Sequence, residues 1–340
     1  MSITVRDIAR SAGVSVATVS RALRDLPGVR PGTRDLVLQT AERLNYAGTP
    51  AAATLSTGIT QIIGIITPYI PRWSFAEMLA GMEARLRLAD RDLLVRCVGD
   101  PSEPEHRRPH VRLRGRVDGF IALSLAPDSP DLREVLSLGM PTTLIGARAP
   151  GAGCVMIDDR GAAAAATQHL IGLGHRAIGL IYGRETENPL ALEHERVLGF
   201  RDALSHSGLE SRPELAVAGG FTVHGGRRAM TQLLELPEPP SAVFAFSDEM
   251  AFGAMAALRE RGLTPGREVS IVGFDGHDLA EIEGLTTVVQ PLRRMGELAA
   301  ELACAAIDNR ALDVSAHVLP TTLVTRSSTG PASIPQPAGL

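Results

Sequence analysis

Lysine is absent from this chain: all 34 basic side chains are arginine, a compositional bias that carries no functional signal by itself. Cysteine is scarce. Cys97, Cys154 and Cys304 are far apart, odd in number and without metal-ligand spacing, which argues against a disulfide framework or a cysteine-held metal and points to a reducing setting. No apolar run reaches the length of a membrane span. The first residues, Met1 to Asp7, lack the apolar stretch of an export signal, so a cytoplasmic location is expected. Signatures of catalysis are missing as well. No Gly-x-Gly-x-x-Gly follows the first apolar run, and no Walker A loop, Gly-x-Ser-x-Gly elbow or His-Glu-x-x-His occurs. Asp158 and Asp159 are adjacent carboxylates, but neighbours on a strand point to opposite faces and make a poor acid–base dyad. The expectation is a protein that is not an enzyme and uses neither cofactor nor metal.

What remains is sizeable. With 340 residues, 44% of them hydrophobic and 21% charged, the chain has the make-up of a soluble globular protein with two or three domains. Its net charge of −4 hides an asymmetry. Residues 1–58 carry seven arginines against four acids, a net of +3 that leaves −7 for the remainder. A basic head on an acidic body suits a polyanionic partner at one end only.

The head reads as two short amphipathic helices joined at a glycine. Thr4 and Asp7 have capping-box spacing, so a helix can start at Val5, with Ile8, Ala9 and Ala12 as its apolar stripe. Gly13 supplies the turn. Ser15 can cap the second helix, whose Val19, Ala22 and Leu23 face inward and whose Val16, Ala17, Ser20, Arg21 and Arg24 face out. This geometry fits a DNA major groove, the alternative being a helical hairpin without a DNA role. A third helix follows Pro31, with Val37, Ala41 and Leu44 closing a small core. From Thr49 to Gly58 a short helix is possible, capped by Thr49 with Pro50 in its first position. Alone in water it would not persist, so it needs a partner chain or DNA; a flexible alanine-rich linker is the other reading. Leu55 on such a helix is an exposed apolar side chain of the kind that wedges into a minor-groove base step.

From Ile62 onward short apolar runs alternate with helical patterns. Strands are expected at Ile62–Thr67, Leu93–Val98, Gly119–Leu123, Thr142–Ile145, Val155–Ile157, Ala177–Ile181, Ala242–Ala245 and Val269–Gly273, and helices at Ala76–Leu88, Ala162–Leu173 and Glu195–His206. Runs this apolar belong to parallel strands covered on both faces. The fold class is therefore α/β: a three-helix helix-turn-helix head followed by two doubly wound lobes, with ligands bound beyond the carboxyl ends of strands.

Head, linker and body together resemble the LacI/GalR family of transcriptional regulators over nearly the whole chain. The resemblance rests on Thr4–Leu23, Thr33–Tyr46, Leu55–Gly58, Val117-Asp118-Gly119, Leu173–Arg176, Arg196–Phe200, Ser247–Ala251 and Val269–Asp275. It implies a repressor that binds palindromic operator DNA as a homodimer, with paired hinge helices in the minor groove. It further implies a periplasmic-binding-protein-like body holding a small effector, most often a sugar or related polar metabolite, between its lobes. The implied organisation is a headpiece over 1–47, a hinge helix or linker over 48–60, and an effector-binding and dimerisation domain over 61–330. The tail over 331–340 is expected to be disordered; it lacks heptads, which favours a dimer.

Carried over residue by residue, Val16, Ala17 and Arg21 look like base readers, with Arg21 able to grip a guanine or, alternatively, a phosphate. Thr4, Ser15, Thr18, Ser20 and Thr33 look like phosphate-positioning donors, each with a plain cap or solvated hydroxyl as the alternative. Tyr46 contacts DNA or packs the third helix. Gly48, Thr49 and Ala53 depart from the residues usual in the hinge, and Arg30 takes the place of a serine cap. In the body, Arg196 and Asp275 look like the polar grip on the effector, an interlobe ion pair being the alternative. Trp73, Phe75 and Phe221 look like ring-stacking walls, or core. Ser247 stands where sugar-binding members often have asparagine, Asp248 reads as a helix cap, and Ser124 and Gln290 are further effector candidates near lobe edges. A solute-binding protein with an incidental helical cap and a sugar-processing enzyme remain rival readings. The first predicts ligand binding without DNA affinity; the second needs a catalytic constellation that the residues do not supply.

Overall fold

The computed structural model describes residues 3–44, 46, 58–68, 70–98, 109–183, 191–309 and 313–332. The chain divides into two compact units, 1–60 and 61–340, each taken by itself below. Most of the predicted hinge, Thr49 and Leu55 included, and the tail beyond Ala332 lie outside the described residues.

In the first unit, α1 (Val5–Ala12), α2 (Val16–Leu23) and α3 (Pro31–Arg43) enclose a core of Ile8, Ala9, Val19, Ala22, Val37 and Ala41. The carboxylate of Asp7 accepts from the Thr4 amide at 3.0 Å and the Thr4 hydroxyl at 2.6 Å, which ties off the start of α1 and holds Asp7 below the usual carboxylate range. Gly13 ends α1 at φ +66°, a conformation that disfavours side chains with a Cβ. The hydroxyl of Ser15 accepts from the Thr18 amide at 3.0 Å and caps α2. Arg30 precedes α3 without a side-chain cap bond, and Pro31 occupies the first helical position.

The second unit contains two six-stranded sheets. The first has the order β11 (Ala316–Leu319), β5 (Gly153–Ile157), β4 (Thr142–Ile145), β3 (Gly119–Leu123), β1 (Ile62–Thr67), β2 (Asp92–Cys97), all parallel. The second has the order β12 (Thr322–Val324), β10 (Thr286–Val289), β9 (Ser270–Asp275), β8 (Ala242–Ala245), β6 (Ile178–Tyr182), β7 (Ala216–Ala218). Only the short β12 runs antiparallel. Strands β1, β3, β4 and β8 have the expected bounds to the residue. The remaining expected strands shift or grow: β2 and β6 move by one, β5 begins at Gly153, and β9 runs Ser270–Asp275. Each gains residues where backbone pairing outlasts the apolar pattern and loses them where pairing stops short of it.

Between the strands lie α4 (Trp73–Leu88), α5 (Pro130–Ser137), α6 (Asp159–Gly172), α7 (Ala191–His206), α8 (Val223–Leu234), α9 (Asp248–Glu260), α10 (Leu279–Ile282) and α11 (Leu292–Asn309). Three of these start earlier than their apolar stripes suggested, α6 because Asp158 caps it by accepting from the Gly161 amide at 2.9 Å. Asp158 and Asp159 are therefore not strand neighbours. They begin a helix and face different partners. Helices α4 and α11 approach closely at two glycines: a Cβ on Gly81 would lie 2.1 Å from the Arg293 carbonyl oxygen, and one on Gly296 would lie 2.0 Å from that of Met78. The chain passes between lobes three times, after β5, after β10 and between β11 and β12. The carboxyl ends of both sheets consequently border one cleft, where ligands of open α/β sheets are found. Among the described residues, no helix is long and apolar enough to cross a membrane.

Candidate functional site

On the head, α2 places its start in solvent. Val16 is 46% exposed, and Ala17 and Arg21 are exposed beside it. An arginine one turn into a helix, flanked by small and apolar side chains, can reach a base edge without a bulky neighbour in the way. The hydroxyls around it are partly engaged at home. Ser15 and Thr18 share a hydrogen bond at 2.8 Å, Ser20 accepts from the Arg24 guanidinium at 2.5 Å, and Thr4 donates to Asp7. Thr33 is half-buried in the first turn of α3. Tyr46 packs against the head core, which is its non-DNA alternative.

In the body, one enclosed pocket collects six of the eight effector candidates: Phe75, Ser124, Arg196, Phe221, Asp275 and Gln290. Phe75 comes from α4 and Ser124 from the end of β3; Phe221 follows β7, Asp275 ends β9, and Gln290 stands at the crossover after β10. Ser124, Phe221 and Asp275 have φ of +48°, +56° and +122°. Non-glycine residues held in this region store backbone strain, and such strain clusters at binding sites.

The polar groups form a tight network. Arg196, 3% exposed, donates through Nε to Asp159 at 2.8 Å and through Nη1 to the Phe246 carbonyl at 2.8 Å, and its guanidinium carbon lies 3.6 Å from the Phe274 ring centre. The expected Arg196 grip is thus already held by Asp159. Asp275 accepts instead from the Gln290 side chain at 2.7 Å. Burial pushes the Asp275 carboxyl up to about 7, opposed by the charges of Arg196 and Arg72. Burial likewise raises Asp159, with Arg196 pulling the other way.

Two candidates stand elsewhere. Trp73 is not a pocket wall: its ring stacks on His277 at 4.5 Å across the rim, with Phe252 edge-on to the same imidazole at 5.3 Å. Ser247 is spent as the cap of α9, accepting from the Met250 amide at 3.3 Å, and is fully buried. Asp248 is not that cap. It accepts from the Gly276 and His277 amides at 2.9 and 2.7 Å and the Thr287 hydroxyl at 2.6 Å, fixing the turn that aims Asp275.

Two charged pocket residues escaped the sequence reading. Asp159 is the buried partner of Arg196, and Arg72 lies 3.8 Å over the Phe221 ring centre and 5.6 Å from that of Phe75. The Nε of Arg72 is 3.5 Å from a Glu249 carboxylate oxygen. A charged residue just beyond the first strand pattern was the available signal for Arg72. The pocket shares Gly146, Ile157 and Asp159 with an open groove of about 800 Å³ that also borders Arg148, Arg160 and Glu195. The described residues hold no cluster of metal-ligating side chains.

Residues 4–48 match the bacterial regulatory proteins of the lacI family, and residues 167–329 match the periplasmic binding protein-like domain. Catabolite control protein A of Priestia megaterium is 33% identical over 97% of this chain and 100% of its own length. A transcriptional regulator CelR–cellobiose complex superposes with a TM-score of 0.70 at 30% identity, covering 96% of this chain and 99% of that one. A lac repressor dimer bound to operator and the anti-inducer ONPF gives 0.83 at 25% identity, covering 97% and 100%.

Proposed function

The chain belongs to the lacI family of bacterial regulatory proteins, and from that premise we propose how its own residues work. It is a DNA-binding transcriptional regulator, acting as a repressor on palindromic operators and controlled by a sugar or related polar metabolite in the interlobe cleft. The observation that carries this reading is the exposed start of α2, with Arg21 presented from a self-contained three-helix unit on a chain whose body encloses a charged pocket. Arg21 supplies direct readout, Val16 and Ala17 contact thymine methyls, and the Thr4, Ser15, Thr18, Ser20 and Thr33 region sets position on the phosphates. Phe75, Ser124, Arg196, Phe221, Asp275 and Gln290 form the effector site.

The organisation is a head over 1–47, a hinge over 48–60 and an effector-binding and dimerising body over 61–330. The protein works as a homodimer in the cytoplasm and catalyses no reaction. Effector binding changes the lobe angle and thereby the population of the DNA-competent form. A gel shift on the palindromic DNA upstream of the coding sequence tests this, with salt varied. Binding should weaken steeply as salt rises. Arg21→Ala should lower affinity for that site by about 1–3 kcal/mol while sparing weak binding to random DNA. Equal losses on both DNAs would remove the base-reading role.

A further inference from the structure

Several exposed arginines of the body meet a carboxylate, as Arg160 meets Asp202, Arg227 meets Glu260 and Arg259 meets Glu283. Those of one short loop do not. Arg112, Arg114 and Arg116 are all exposed, and none of the three forms an ion pair among the described residues; Arg114 donates to the Leu138 carbonyl at 3.3 Å. Between them Leu113 and Val117 turn inward, and Gly115 turns the chain at φ +73° in open space. Two residues after Arg116, the Asp118 carboxylate accepts from the Gln61 amide at 2.9 Å, and Gln61 is where the second unit begins. The loop therefore stands at the amino end of the first sheet, away from the cleft and beside the point where the linker from the head joins the body. The acids of that end do not neutralise it. Asp118 and Asp308 both pair with the buried Arg91, and Asp90 and Asp92 stand at the start of β2, on the far side of β1 from β3.

We propose that Arg114 and Arg116, with Arg112 behind them, form a second DNA-binding surface, on the body, that takes phosphates of the operator backbone. The proposal rests on the reading of residues 48–60 as a hinge bound to operator DNA. A hinge lying on DNA leaves Ile59 and Thr60 between Gly58 and Gln61, a reach of at most about 10 Å. That tether holds the amino end of the sheet close enough for an arginine side chain to meet the duplex. The body carries a net −7 and is repelled by DNA as a whole, so a basic loop at the end nearest the duplex offsets that repulsion where it is strongest. Exposed guanidinium groups of this kind contact phosphates, adding affinity and fixing orientation without reading bases. The proposed homodimer presents the loop twice.

Fluorescence anisotropy of labelled upstream operator DNA with the full-length protein, from about 50 to about 200 mM salt, tests this. The double variant Arg114→Gln, Arg116→Gln should bind about ten-fold more weakly at the lower salt. Its plot of log affinity against log salt should be shallower by about 1.8 or more, two phosphates at about 0.9 each. Lysine at both positions should restore affinity and slope, since a phosphate contact needs the charge and not the guanidinium plane. Arg133→Gln with Arg228→Gln removes the same charge from exposed sites elsewhere on the body and should match the wild type. Equal losses in the two glutamine pairs would reduce the effect to a long-range field and overturn the surface. So would weaker binding at an unchanged slope, which would place these arginines on the chain's own linker. Binding by the Arg114, Arg116 pair identical to the wild type would likewise overturn it, with the head's role on DNA intact. A wild type without preference for operator over random DNA would overturn the hinge reading and the surface with it.

Discussion

Arg21 in the head and Arg196 in the body are deployed in opposite ways. Arg21 stands in solvent on a short helix whose core is six small and medium side chains. No hydrogen-bond or ion-pair partner of its side chain stands among the described residues, which suits the DNA contact proposed for it. Arg196 is 3% exposed and spends its donors on Asp159 and Phe246. An exposed cation can be lost with little effect on the fold, whereas a buried one is half of a pair whose survivor is left in a low-dielectric interior. On the roles proposed for these two residues, function in the head is nearly separable from stability, and in the cleft the two are coupled.

The sharpest way to break that contrast is to remove each arginine in turn. Arg196→Ala should cost the body about 3–5 kcal/mol by stranding Asp159, read as a lower denaturation midpoint. Arg21→Ala should change stability by less than about 0.5 kcal/mol. Similar small shifts for both would mean that the buried pair is not structural.

A second variant sharpens the same contrast through pH. Asp275 titrates near 7 in the folded cleft, against an ordinary carboxylate value of about 4 when unfolded. Between those values the native state holds the extra proton, so stability falls as pH rises from about 4 to about 7 and then levels off. Asp275→Asn, which can still accept from Gln290, should remove that slope. It should match the wild type near pH 4 and exceed it at pH 8, by up to about 4 kcal/mol. Parallel pH profiles of melting temperature for the two proteins would contradict this.

The smallest effects belong to the head and its caps. Ser15→Ala should cost about 1 kcal/mol by leaving the Thr18 amide without its cap. Arg30→Ser should gain about as much by supplying a cap that α3 lacks. Hydrogen exchange of head amides in the full chain reads both, and opposite signs are expected. Equal signs would show that capping does not limit this unit.

The same difference governs how far each region could be read from the sequence. In the head, every decisive feature is local: the Thr4–Asp7 spacing, Gly13, the Ser15 cap and the inward Val19 and Ala22 all follow from helical period and capping chemistry. In the body, the apolar runs located most strands, and the fold class followed from their alternation. The short edge strands β7 and β12 carry too little pattern to stand out. Six of the eight cleft candidates, Arg196 and Asp275 among them, do line the pocket, but it was the family resemblance and not local spacing that singled them out. Asp159 reaches Arg196 because β5 passes into α6 at the lobe crossover, and Arg72 reaches Phe221 across the lobes. Neither proximity is written in local spacing. Ser247 and Trp73 illustrate the converse, since a residue type suited to ligand contact was taken for a cap and for a rim stack. Positive φ at Ser124, Phe221 and Asp275 has no sequence signal at all, because none of them is glycine.

The central claim is that one chain couples operator binding by its head to ligand binding in its cleft. Fluorescence anisotropy of labelled upstream operator DNA tests it directly, with the protein titrated in the absence and presence of saturating cleft ligand, found by a thermal-shift screen of sugars and nucleosides, for the wild type and Arg196→Ala. The account predicts that ligand shifts operator affinity of the wild type by about 1–3 kcal/mol and leaves that of the variant unchanged. Operator affinity that ignores the ligand in the wild type, despite saturation of the cleft, would contradict it.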